Sequence, residues 1–178
     1  MKAIKILFST VFFLGILVGV PSRACAQGGD YQTHTVYIWN FTKYIQWPTS
    51  YQSGDYVIGI IGNSPIVPKL KGLAASKKVV GTQKIVIKQF KTVASMDKNC
   101  QMIYVTNSES RNLAAVKKFF DGKSALIITE KTGLARQGSC INFVLRDGSW
   151  RFELNKTETD KMGLKVSKQL TRLATIIE

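Results

Sequence analysis

Apolar side chains recur first at helical spacing and then in short unbroken runs. His34, Tyr37, Phe41, Tyr44 and Ile45 stand three to four residues apart or adjacent, which predicts a helix from Asp30 to Trp47 that Pro48 stops. Tyr56–Ile61 is then almost wholly apolar, as in a strand covered on both faces, and Gly62-Asn63-Ser64-Pro65 turns it into a helix over Ile66–Ala75. The alternation continues with strands at Lys84–Phe90, Met102–Thr106 and Ala125–Thr129. A helix over Arg111–Phe120 lies between the last two, with Leu113, Val116, Phe119 and Phe120 inward.

The tail changes character. Cys140–Leu145 and Ser149–Leu154 flank Arg146-Asp147-Gly148, and Asp-Gly between two strand patterns predicts an antiparallel hairpin. Asn155 is placed to cap a final helix running to Thr171 or beyond, with Met162, Leu164, Val166, Leu170 and Leu173 as its buried stripe. The expected fold is one three-layer α/β domain: a mixed sheet, parallel in the centre, closed by the antiparallel C-terminal hairpin, with helices on both faces.

The first residues read as an address instead of structure. Lys2 and Lys5 precede an apolar run from Ile6 to Val20, and Ala24-Cys25-Ala26 supplies small residues for cleavage before Gln27. Residues 1–26 are thus an expected signal peptide, residues 27–178 the domain, and the periplasm the expected compartment. A lipoprotein anchored through Cys25 is the rival, but Arg23 interrupts the small-residue run it needs. Removing Lys2, Lys5 and Arg23 leaves 22 basic against 11 acidic residues. Those cations are dispersed, with no run longer than Lys77-Lys78 or Lys117-Lys118, so a solvated surface is expected and nucleic acid is not an expected partner. Cys100 and Cys140 remain, and export makes a disulfide between them a candidate if their strand starts lie within about 7 Å.

Enzyme chemistry finds little support. His34 is the only histidine, so two-histidine metal sites are excluded, and Ser64, Ser108, Ser139 and Ser167 have no base in a recognisable motif. Gly59-Ile-Ile-Gly62 lacks the lysine and the further glycine of a phosphate loop. No catalytic residue, metal or cofactor is expected.

Six blocks carry a resemblance, in order along residues 31–174: Phe41-Thr-Lys43-Tyr44-Ile45-Gln-Trp47-Pro48; Ile58-Gly59-Ile60-Ile61-Gly62-Asn63-Ser64-Pro65; Cys100-Gln101-Met102-Ile103-Tyr104-Val105; Gly138-Ser-Cys140-Ile141-Asn142-Phe143; Arg151-Phe152-Glu153-Leu154-Asn155; and Gly163 through Ala174. Together they resemble the YfiR/HmsC-like family of periplasmic proteins. The resemblance implies a non-enzymatic regulator that binds the periplasmic part of a membrane-bound diguanylate cyclase and represses it, and so lowers cyclic di-GMP and biofilm output. A disulfide stabilises the active repressor in the best understood relatives. Cys100 matches a cysteine often found at its position, Cys140 stands where many members carry another residue, and the second pair of those relatives has no counterpart here.

Two surfaces are candidates for recognition. Ligands of such sheets sit beyond the carboxyl ends of parallel strands, where Asn63, Ser64, Thr106, Asn107, Ser108, Thr129 and Glu130 gather; the alternative is that these are turns and caps, with Ser108 or Ser110 capping the Arg111 helix. The first and final helices are expected to pack together. Trp39 beside Lys161, Lys165, Lys168 and Arg172, spaced three and four apart, would then form a partner surface, the alternative being a solvated face over core aromatics. The expected partner is a membrane-bound sensor of the diguanylate cyclase or histidine kinase type, and a homodimer stays open. A small-ligand binder or accessory subunit of an envelope transport or two-component system is the competing function, with the strand-end crevice as its site.

Overall fold

The computed structural model describes residues 30–77 and 79–178, so the expected signal peptide lies outside the described residues. The elements are α1 (Tyr31–Tyr44), β1 (Ile45–Gln46), β2 (Tyr56–Ile61), α2 (Ile66–Lys77), β3 (Val79–Val80), β4 (Gln83–Phe90), β5 (Met102–Val105), α3 (Leu113–Phe119), β6 (Leu126–Thr129), β7 (Ile141–Arg146), β8 (Ser149–Asn155), α4 (Lys156–Lys161), β9 (Lys165–Val166), α5 (Lys168–Leu173) and β10 (Thr175–Ile177). No helix among the described residues is long and apolar enough to cross a membrane.

One sheet of order β10-β8-β7-β6-β5-β2-β4-β3 carries the fold, and β1 and β9 form a separate two-stranded ribbon. Strands β4, β2, β5, β6 and β7 run parallel, and β7–β8 is the antiparallel hairpin that Asp147-Gly148 predicts. Both turn residues have positive φ, 50° and 71°, as a two-residue turn with the sheet's own twist requires. Every residue of β2, β5 and β6 is buried, which is why those segments read as unbroken apolar runs.

Side-chain alternation sorts the helices into two layers. Phe143 of β7 stacks on His34 of α1, and α1 touches α2 and α5. Cys140, three residues before Phe143 and so on the opposite face, lies against Thr159 of α4 and near Lys117 of α3. Helices therefore cover both faces.

The tail departs from expectation. No continuous helix runs from Asn155 to Thr171. Asn155 does cap α4, its Oδ1 accepting from Glu158 N at 2.9 Å, but the helix ends at Lys161. Gly163 takes φ +69°, and its N–H and that of Leu164 donate back to Asp160 O and Thr159 O, closing the helix terminus. Ser167 then caps α5 through Leu170 N. After α5 the chain returns to the sheet as β10, parallel to β8. The first helix is also shorter than its pattern, because Ile45 and Gln46 pair with Val166 and Lys165 in the ribbon.

The candidate disulfide is absent. Cys100 and Cys140 are both buried free thiols, at the starts of β5 and β7 with β6 between them. Two strand spacings put about 9.5 Å between those strands, beyond the roughly 7 Å a disulfide spans. Burial pushes each thiol's pKa up to about 12, so neither is a ready thiolate. Thiol titration is therefore expected to find no reactive sulfhydryl in the folded protein and two in the unfolded, non-reduced protein. Added reductant should leave the melting temperature unchanged; a drop of several degrees would indicate a bridge.

Candidate functional site

The carboxyl ends of the parallel strands meet the start of α1. Asp30 caps that helix, its Oδ1 accepting from the backbone of Gln32 and Thr33, which fixes where the first turn begins and puts His34 inside it. His34 has no solvent exposure and lies in an aromatic box: stacked on Phe143 at 4.0 Å with 7° between planes, and edge-on to Trp150 at 4.6 Å and Tyr31 at 5.6 Å.

A hydrogen-bonded chain runs from it. Tyr104 on β5 donates its hydroxyl proton to Glu130 Oε2 at 2.7 Å, and His34 Nδ1 lies 3.0 Å from the same hydroxyl oxygen. The phenol has one proton and it is committed, so His34 must donate from Nδ1. Its Nε2 is then a bare acceptor, buried and unpartnered among the described residues. Glu130 is held in turn by Asn107 N–H at 2.9 Å, and the Tyr31 hydroxyl lies within reach of Glu130 and Ser64. Burial depresses the His34 pKa to about 4, offset in small part by Asp30, and raises Tyr104 far above the ordinary phenol range. The imidazole is neutral at physiological pH and serves as a fixed donor between helix and sheet.

The expected crevice residues divide. Glu130, Asn107 and Ser64 come together around this chain, with Asn107 contributing its backbone and Ser64 also accepting from Ile66 N at 3.3 Å. Thr106 and Ser108 pair with each other at 3.0 Å close to Gly62, where a Cβ would collide with Thr106 Oγ1 and Glu109 Cγ. Asn63 is exposed. Thr129 faces the opposite layer, 2.7 Å from Asn142 Oδ1 and 2.9 Å from Ser139 Oγ, and Asn142 links on to Glu153 and Arg146. Neither Ser108 nor Ser110 caps α3, which a tight turn over Asn107–Asn112 enters directly. Sequence reasoning missed His34, Tyr104 and Tyr31. The available signal was a tyrosine within the apolar run Met102–Val105 and a single histidine on an aromatic helix face.

The expected partner residues also divide, because the helix meant to align them is broken. Lys161 pairs with Glu158 on α4 at 2.9 Å, Lys165 lies in β9, and only Lys168 and Arg172 share a helix, α5. Trp39 is half-buried on α1, with Lys43 Nζ 5.0 Å and Lys77 Nζ 5.5 Å from its ring centre, a cation–π arrangement. Trp47 belongs to the core.

Two predictions follow from the buried chain. An unfolded histidine titrates near 6.5 and His34 near 4, so below about pH 6.5 the unfolded chain takes up the extra proton, and stability present above that pH falls as pH drops toward 4, by roughly 3 kcal/mol in total. His34→Phe, which keeps the stack on Phe143, should lack this loss in urea unfolding compared between about pH 7 and pH 4. Tyr104→Phe strands both Glu130 and His34 Nδ1 and should destabilise the fold at neutral pH by about 2 to 3 kcal/mol.

A family model described as YfiR/HmsC-like matches residues 31–175. No curated protein matches the chain. Among solved structures, a conserved domain protein from Vibrio cholerae is similar in fold, with a TM-score of 0.54 at 11% identity, the match covering 84% of this chain and 60% of that one. This chain thus spans less than two thirds of that protein's length, and the likeness concerns fold alone. The family match extends over almost every described residue, from the first turn of α1 to the start of β10, and on it the chain belongs to the YfiR/HmsC-like family.

Proposed function

We propose that the protein is a periplasmic, non-enzymatic regulator that binds the periplasmic part of a membrane signalling protein, a diguanylate cyclase, and represses it. The match of the family model across residues 31–175 carries this reading. The buried polar chain supports it in kind: His34, Tyr104 and Glu130 are spent on holding α1 to the sheet, the arrangement of a scaffold that presents a surface.

That surface is the outer side of α1 together with α5, which touches it. Trp39 between Lys43 and Lys77 offers an aromatic anchor within a cationic frame. On α5, Lys168, Arg172 and Leu173 are exposed, the last by 66%, so an apolar side chain again lies among cations. Such a pairing gives affinity through the apolar groups and steers an acidic partner through the charges.

Removing the protein from its native cell should raise cyclic di-GMP, and restoring the wild type should reverse the rise. Trp39→Ala and the pair Lys168→Glu with Arg172→Glu should each fail to reverse it and should weaken capture of the cyclase's periplasmic domain about tenfold or more, the exposed charge pair changing stability by no more than about 1 kcal/mol and the half-buried Trp39 by about 1 to 3 kcal/mol, with the fold retained. Unchanged cyclic di-GMP on removal would overturn the regulatory reading. Capture insensitive to all three substitutions would overturn the surface.

A further inference from the structure

A cleft of about 820 Å³ opens at the carboxyl end of α1, between the β1–β9 ribbon and the turn joining β3 to β4. Its volume is that of a small-molecule site. Tyr44, Trp47, Tyr51 and Tyr56 give it an aromatic lining, Lys43 and Lys165 stand exposed at its margin, and no aspartate or glutamate lines it.

Several hydrogen-bonding groups of this lining are held by the protein. The Trp47 indole donates to Gln101 O at 3.1 Å, the Tyr51 hydroxyl accepts from Ser124 N at 3.0 Å, and the Gln83 amide donates to Tyr51 O and Ser53 O. Tyr56 differs from them in being buried without such a bond. It is 2% exposed, stands edge-on to Trp47 at 5.4 Å, and its hydroxyl has no partner among the described residues. A buried hydroxyl without a partner is unfavourable, so its retention here calls for an explanation.

The two polar features lie in different surroundings. The unpartnered hydroxyl is buried with no cation beside it among the described residues, which suits a neutral acceptor such as a hydroxyl or carbonyl and disfavours a desolvated carboxylate. The exposed lysines at the margin suit an anion that keeps part of its hydration and oppose a cationic group, which no carboxylate of the lining would pair. We propose that the cleft binds a small aromatic carboxylate carrying a hydroxyl or carbonyl at the end remote from its acid group: Tyr56 donates to that acceptor, the aromatic side chains enclose the ring, and Lys43 and Lys165 face the carboxylate. This site is separate from the strand-end cluster; it shares Lys43, whose ammonium lies 5.0 Å from the Trp39 ring centre, with the proposed partner surface, so Lys165→Gln alone serves as the charge variant that leaves that surface intact. An occupant would touch both the end of α1 and Ser167, the cap of α5.

The test uses 3-(4-hydroxyphenyl)propionate as the probe on the purified protein, with titration calorimetry and the Trp47 indole N–H resonance as readouts. Expected are saturable binding with a shift of that resonance, about tenfold weaker binding of 3-phenylpropionate, which lacks the acceptor, and none of tyramine, which replaces the acid by an amine. Tyr56→Phe should erase the difference between the two acids while leaving the melting temperature of the free protein equal or higher, since the unpartnered hydroxyl is gone. A merely structural tyrosine would not produce that combination. Lys165→Gln, alone and with Lys43→Gln, should weaken both acids and flatten their salt dependence. No binding of the probe, equal binding of tyramine, or a hydroxyl preference that survives in Tyr56→Phe would overturn the proposal.

Discussion

The buried hydrogen bond from His34 to Tyr104, extended to Glu130, joins the first helix to the end of the parallel sheet, and the placement of much else depends on it. An aromatic helix face packed on an apolar sheet can slide or roll with little change in buried area, because hydrophobic contact is non-directional. A donor and acceptor that must meet at 3.0 Å in a dry interior remove that freedom. With His34 fixed against Phe143, α1 has one rotation about its axis. Ile38 and Phe41 face the sheet, Trp39 is turned toward Lys77 on α2, and Ile45 leaves the helix where it can pair with Val166.

Most of the sheet was legible in the chain because its signals are local. The unbroken apolar runs of β2, β5 and β6 follow from burial on both faces, and Asp147-Gly148 specifies its turn through the positive φ that both residues adopt. The tail misled because two signals conflicted. Met162, Leu164, Val166, Leu170 and Leu173 suggest a long apolar stripe, yet Gly163 and Ser167 are the residues that end one helix and start the next, and this punctuation prevailed over periodicity. The short strand β10 has no pattern of its own and exists because β8 offers an open edge. The cysteine pairing failed for a topological reason: only the strand order shows β6 between Cys100 and Cys140. At the strand ends, composition pointed to the right region through Glu130, Asn107 and Ser64, but the chain alone could not reveal that His34 and Tyr104 reach the same point from 70 positions apart.

The two ends of α1 are chemically opposite. At its start the buried polar groups satisfy one another, apart from the bare His34 Nε2, and the result is a rigid anchor. At its close the Tyr56 hydroxyl lies unpartnered beside an aromatic cleft with a cationic margin. A helix fixed at one end is bordered by a cleft at the other, with Trp39 between them.

The protonation state of His34 tests the anchor most directly. Nitrogen-15 spectra of the imidazole, recorded from about pH 7 down to pH 4, report separately on Nδ1 and Nε2. The expected spectrum is that of a neutral ring protonated on Nδ1, with a bare Nε2, holding unchanged until the pH approaches 4. A ring protonated on Nε2 at neutral pH would mean that Tyr104 gives its proton to His34 and not to Glu130, and one that titrates near 6.5 as an exposed histidine does would mean that the bond to Tyr104 is not made and that α1 is held by packing alone; either contradicts the account.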